Sequence, residues 1–137
     1  MFYLKCQKLE LTVNLTANYT NPYDYAQFNL KAIFFAPSGK KDTVDGFYYQ
    51  DFTVHNNEPG NFYTLINGSP TWKIRFTPTE TGNYQYLVYC VDMDGTSNTV
   101  TQNFNCISSA SKGFIRKSNG NYMKYDDGTQ YFPIGAN

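Results

Sequence analysis

The residues predict an all-β fold, a β-sandwich carrying a C-terminal β-hairpin extension, and three observations lead there. Apolar residues alternate with polar ones in run after run, the period-two pattern of half-buried strands, and no long window repeats apolar positions at helical spacing. Turn residues punctuate these runs roughly every 8–12 positions, the rhythm of a sandwich. The third observation is W-K-I-R-F-T-P-T-E-T-G-N-Y-Q-Y at 72–86. Trp72, Ile74 and Phe76 form one face of a strand that Pro78 ends, since proline has no backbone N–H to pair. Gly82 then gives the freedom for a sharp corner, and Tyr84 opens the next strand. The order Glu80, Gly82, Tyr84, Tyr86 matches the corner of immunoglobulin-like sandwiches, where a Tyr hydroxyl bonds back to the backbone upstream. The fold predicted is therefore immunoglobulin-like, without the inter-sheet disulfide of antibody domains, because Tyr86 stands where its second cysteine would fall.

The elements follow in order. Leu9, Leu11, Val13 and Leu15 make the first long strand, and Asn21-Pro22-Tyr23-Asp24 is a turn cluster. Phe28, Leu30, Ala32 and Phe34 form the inner face of a second strand, closed by Pro37-Ser38-Gly39. A third, aromatic strand surrounds 46–52, a loop spans 56–60, and Phe62 to Ile66 is a short edge strand. After the corner, Tyr84, Tyr86, Val88 and Cys90 share a face; Asp94-Gly95 turns the chain, and Val100, Phe104 and Cys106 return it, with Gln102 a discordant inward position. The small-residue stretch 108–113 reads as a hinge, dividing a sandwich at 1–107 from an extension at 108–137. In the extension, Tyr122 to Tyr125 and Tyr131 to Ile134 flank Asp126-Asp127-Gly128, an Asp-Gly pair suited to a type I′ turn. An apolar strand so near residue 137 suggests a piece of something larger.

With 137 residues the chain can bury a core of its own. A net charge of zero, with 16% charged residues, argues against a nucleic-acid partner. No apolar window approaches the roughly 20 residues of a membrane-spanning helix. The first residues lack the basic start and apolar stretch of a signal peptide, so Met1 is expected to follow a removed leader. Cys6, Cys90 and Cys106 match no zinc spacing. A hairpin about Asp94-Gly95 places Cys90 near Thr99 and Cys106 near Asn83, too far apart to bridge, so all three read as packed thiols. Asn14, Asn18 and Asn67 begin glycosylation sequons, which hint only at surface loops.

Catalytic signals are weak. A glycosidase needs two carboxylates facing one sugar about 5–10 Å apart. Asp126 and Asp127 fit a turn and Glu80 the corner, and no pair has a reason to be buried. Asp92-Met93-Asp94-Gly95 begins like a calcium loop but lacks the later ligands, so a hairpin turn fits better. His55, the sole histidine, reads as a solvated loop residue. No catalytic residue, metal site or cofactor is called for. Binding signals come from the aromatics, 18% of the chain. Tyr48, Tyr49, Phe62 and Tyr63 are candidates for a carbohydrate platform, since flat rings pack on sugar C–H faces. The competing account has Tyr fill half-buried strand positions. Trp72 faces the core by parity. Tyr131, Phe132 and Ile134 are candidates for a domain interface.

Four segments in order carry a family resemblance: G-F-Y-Y-Q-D-F at 46–52, the 72–86 stretch, K-G-F-I-R at 112–116 and D-G-T-Q-Y-F-P-I-G-A-N at 127–137. Together they resemble the immunoglobulin-like N-terminal domain of unknown function that precedes glycoside hydrolase (β/α)-barrels in bacteria. The resemblance covers nearly the whole chain; the strand at 9–15 and the insert between Phe52 and Trp72 add nothing to it. It implies a non-catalytic accessory domain, secreted or periplasmic, that packs against and positions a downstream barrel in the same polypeptide. The alternative is a carbohydrate-binding module with polysaccharide as its partner. An adhesion sandwich rests on fold analogy alone.

Overall fold

The structure, a computed structural model, describes residues 1–57, 60–66, 68–98 and 101–135, with backbone alone at 56, 57, 61 and 98. Its strands are β1 (Phe2–Leu4), β2 (Leu9–Val13), β3 (Asn29–Phe35), β4 (Lys41–Tyr49), β5 (Phe52–Asn57), β6 (Gly60–Leu65), β7 (Thr71–Phe76), β8 (Gly82–Asp92), β9 (Gly95–Asn98), β10 (Gln102–Ile107), β11 (Ile115–Lys117), β12 (Met123–Tyr125) and β13 (Gln130–Tyr131). Among the described residues there is no helix, and the fold is all-β as the periodicity predicts.

Eight strands form one sheet, in the order β1-β10-β8-β3-β4-β7-β2 with β9 paired to β8. β4 gives this sheet its shape. Its first half, through Asp45, pairs with β3, and from Gly46 to Tyr49 it pairs with β7. At the change of partner a Cβ on Gly46 would lie 2.4 Å from Leu30 Cδ2, so only glycine allows this approach. The sheet folds over along β4, and rings on strands that do not pair then meet. Phe34 of β3 stacks on Phe76 of β7 with ring centres 3.9 Å apart, and Phe76 reaches Tyr84 of β8 at 5.9 Å. Where the sequence suggests two sheets, there is one, nearly closed on itself, whose end strands β1 and β2 adjoin along the chain.

The fold encloses one core. Leu9, Phe28, Leu30, Phe34, Trp72, Ile74, Tyr84, Val88 and Phe104 are buried together, with Phe76 and Tyr86 packed against them. The alternation seen in the sequence is the cause, since successive strand residues point to opposite faces. β3 alternates buried and half-buried positions along its whole length. Cys90 and Cys106 are buried free thiols and Cys6 is a half-buried one, as three packed thiols should be.

The corner forms as the sequence suggests. Tyr84 is 1% exposed, and its hydroxyl accepts the Glu80 N–H at 3.0 Å. The Glu80 carboxylate accepts the Ser38 N–H (3.1 Å) and hydroxyl (2.8 Å), tying the corner to the β3–β4 turn. Gly82 has φ +123°, and a Cβ there would press on Pro37 Cγ at 3.0 Å. Tyr84→Phe keeps the ring and loses one hydrogen bond, so equilibrium unfolding should show a loss of about 0.5–1.5 kcal/mol.

Several local expectations are corrected. The first long strand ends at Val13, not Leu15, and β1 forms parallel to β10 without a sequence signal. The aromatic strand expected at 46–52 begins at Lys41, where its partner β3 extends it, and stops at Tyr49. Strand structure enters the loop expected at 56–60, and the edge strand expected at 62–66 pairs only with β5, as a separate two-stranded ribbon. His55 lies on that ribbon, stacked on Phe62, rather than in a loop. Cys90 faces Ser97 and Cys106 faces Gly82, each short of the expected partner; Thr99 and Val100 lie outside the described residues. Gln102 is exposed rather than inward. The turn at Asp126-Asp127-Gly128 is not type I′, since only Gly128 has positive φ (+89°). The Gly128 N–H bonds back to the Tyr125 carbonyl (2.9 Å), and Gly128 takes the left-handed position of a three-residue hairpin loop.

Candidate functional site

Concave surface with exposed aromatic rings occurs where the sheet splits. Beyond the Lys31–Asp45 pair, β4 leaves β3 for β7, and residues 22–25 lie across the gap. Pro22, Tyr23, Tyr25, Phe28, Tyr48 and Trp72 line a cleft of about 340 Å³ there. Its floor is fixed. Trp72 is 7% exposed, packs on Phe28 (4.1 Å between ring centres) and Tyr48 (5.2 Å), and donates its indole N–H to the Tyr19 hydroxyl at 3.3 Å. Tyr23, 77% exposed, stands edge-on to Tyr48 at 5.6 Å and 90°. Tyr25 is held from outside the cleft, where Asp45 Oδ1 accepts its hydroxyl at 3.3 Å and Lys31 Nζ at 2.7 Å. Lys31 holds the Asp45 carboxyl below its ordinary range, while burial raises the Tyr48 phenol. Sequence reasoning placed Tyr23 only in a turn cluster and did not single out Tyr25; the available signal was two tyrosines in the Pro22-Tyr23-Asp24-Tyr25 turn, where no strand face would bury them.

The four rings singled out as a carbohydrate platform face different surfaces. Tyr48 points into the cleft, and Tyr49, its neighbour on β4, points to the opposite face beneath Lys73, whose Nζ sits 3.9 Å from the ring centre. Phe62 and Tyr63 alternate across the β5–β6 ribbon. Phe62 stacks on His55 at 4.5 Å, while Tyr63 meets Phe52 edge-on at 5.5 Å. By register, Phe52, Val54, Tyr63 and Leu65 share one ribbon face, and all four are exposed.

Beside Tyr49 the outer face of β2 and β7 carries an ion network. Glu10 accepts Arg75 Nε at 2.7 Å and Lys73 Nζ at 2.9 Å, and these hydrogen bonds pull its pKa from 4.5 to about 2. Because the folded-state value is the lower one, the stabilisation is complete above about 4.5 and is lost as pH falls through about 2. Glu10→Gln should therefore lower the melting temperature at pH 7, by an amount equivalent to about 1 kcal/mol or less for a network that water screens at the sheet surface, and the difference should shrink as pH falls below about 4.5 and vanish below about 2.

The opposite end holds the three-stranded sheet of β11, β12 and β13. Ser109 donates its hydroxyl to the Lys5 carbonyl, anchoring the segment to the main sheet. Gly113 (φ +83°) lies so close to Asp126 that a Cβ would meet it at 2.6 Å. Asp126 accepts the Phe114 N–H (2.8 Å) and Arg116 Nε (2.9 Å), and Asp127 accepts the Thr129 N–H and hydroxyl. Both carboxyls are held below their ordinary range, by Arg116 first and by the Thr129 N–H first respectively. Both carboxylates are spent on holding the loop before β11 and the hairpin turn. Of the three interface candidates, Tyr131 packs edge-on against Tyr125 at 5.5 Å, whereas Phe132 and Ile134 are 68% and 96% exposed. Tyr122 and Met123 add to the exposed apolar surface. Asp92, at the other end, spends its carboxylate on the β8–β9 turn and the Asn18 N–H, the turn role expected of it. Asn67 lies outside the described residues.

A family profile described as Domain of unknown function (DUF5060) matches residues 4–91. The chain belongs to this family. The DUF5060 match runs from the end of β1 through β2 to β8 and stops short of β9 to β13. No curated protein matches the chain. Among solved structures, the crystal structure of a putative glycoside hydrolase from Bacteroides vulgatus shares the fold, with a TM-score of 0.68 and 24% identity over 98% of this chain. The DUF5060 chain spans 22% of the length of that protein.

Proposed function

We propose that this DUF5060 chain is an immunoglobulin-like, non-catalytic accessory domain of a secreted or periplasmic glycoside hydrolase. In this reading residues 1–107 form the folded body of the domain, and 108–137 form a hinge and extension that dock on the catalytic barrel and fix its position. The observation that carries it is the apolar surface of the extension, where Phe132 and Ile134 stand free of the protein's own core. Exposed apolar patches of this kind mark interfaces. Support comes from the likeness in fold to the putative glycoside hydrolase from Bacteroides vulgatus, of whose chain this one covers 22%. The tyrosine corner supports the immunoglobulin-like assignment.

The chain on its own should release no reducing sugar from any polysaccharide, and a turnover that survives repurification would refute the non-catalytic reading. Adding the separately produced barrel should raise the chain's melting temperature, because a partner that binds only the folded state stabilises it. A melting temperature unmoved by saturating barrel would count against docking.

A further inference from the structure

We propose that the cleft bounded by residues 22–25 and the β4–β7 pair binds one residue of a neutral polysaccharide, at the end of the domain remote from the extension. The two ends are separated by the length of β7, about 20 Å for six residues. One end can therefore hold polysaccharide while the other docks.

Size, ring geometry and charge point to this ligand class. A volume of about 340 Å³ lies within the roughly 300–1,000 Å³ of small-molecule sites. Tyr23 offers an exposed ring face whose tilt is set by its edge-on contact with Tyr48. A pyranose presents an apolar C–H face to such a ring and a belt of hydroxyls to the surroundings. The lining answers that belt. The Tyr25 hydroxyl donates to Asp45 Oδ1 at 3.3 Å, which leaves its oxygen to accept from a sugar hydroxyl. Tyr48, in the cleft wall, brings a further hydroxyl that can donate and accept. No charged side chain is among the described residues that line the cleft, so it favours a neutral sugar over a uronate. An apolar peptide side chain would fill the floor but leave these polar groups without partners, at a cost in affinity.

Trp72 is the chain's single tryptophan and forms the cleft floor, so its fluorescence reports occupancy. The 137-residue chain would be titrated with cellohexaose, xylohexaose, mannohexaose and laminarihexaose, and with N-acetyl-phenylalanine amide as the apolar probe. At least one hexasaccharide is expected to give a saturable change in Trp72 emission. Tyr23→Ala should weaken that binding about tenfold and Tyr25→Phe by less, with melting temperatures kept near the parent value because both side chains are exposed. Phe132→Ser, at the far end, should bind as the parent does. No saturable change with any hexasaccharide up to about 10 mM overturns the proposal. So does sugar binding indifferent to Tyr23→Ala, and so does saturable binding of the phenylalanine amide alone.

Discussion

Trp72→Ala is expected to lower stability by about 3–5 kcal/mol, the usual cost of emptying a large aromatic site in a packed core. Trp72 touches Tyr19, Phe28 and Tyr48, and its indole N–H is bonded to the Tyr19 hydroxyl. Truncation would leave a cavity under three rings and an unpaired hydroxyl. In a domain of this size the loss corresponds to a melting-temperature drop of roughly 10–20 °C by calorimetry. A midpoint equal to that of the parent would mean that the β4–β7 register, which sets Trp72 opposite Tyr48, is wrong.

Gly46→Ala should cost about 1–3 kcal/mol although it adds a single methyl group. The new Cβ would lie 2.4, 2.6 and 3.0 Å from Leu30 Cδ2, Cγ and Cβ, so rotating the end of that leucine cannot relieve the clash. Leu30 is itself buried in the core, and the strain would spread to the point where β4 changes partners. Urea unfolding checks it. A variant as stable as the parent would show that the sheet does not fold as tightly at β4 as described.

What could be read from the sequence was local or periodic. The corner joins Glu80 to Tyr84, four residues apart, and the inward faces of β3, β7 and β8 follow from alternation alone. What could not be read depends on distant partners. Gly46 in sequence looks like a weak point in a strand, and nothing near it says that the strand exchanges β3 for β7 there. The Lys41 to Asp45 half of β4 is polar and half-exposed, so its strand character comes from pairing with β3 rather than from hydrophobicity. Asp127-Gly128 suggested a two-residue turn, but the extra residue Asp126, whose carboxylate is spent on Phe114 and Arg116, makes the loop one residue longer. Tyr23 and Tyr25 have no periodic neighbours to betray them. Their cleft exists only because residues 22–25 cross the gap left where the sheet splits, a contact the sequence does not encode locally. Phe132 and Ile134 were legible as apolar residues of a short hairpin arm, and both are exposed in the fold.

The central claim, that the extension is a docking surface for a catalytic barrel, is tested most directly by isothermal titration of the 137-residue chain with the separately produced barrel. Saturable one-to-one binding is predicted, lost when Phe132 and Ile134 are both changed to Ser and retained in Tyr23→Ala. Absence of heat at saturating barrel, or binding indifferent to the double change at Phe132 and Ile134, would contradict it.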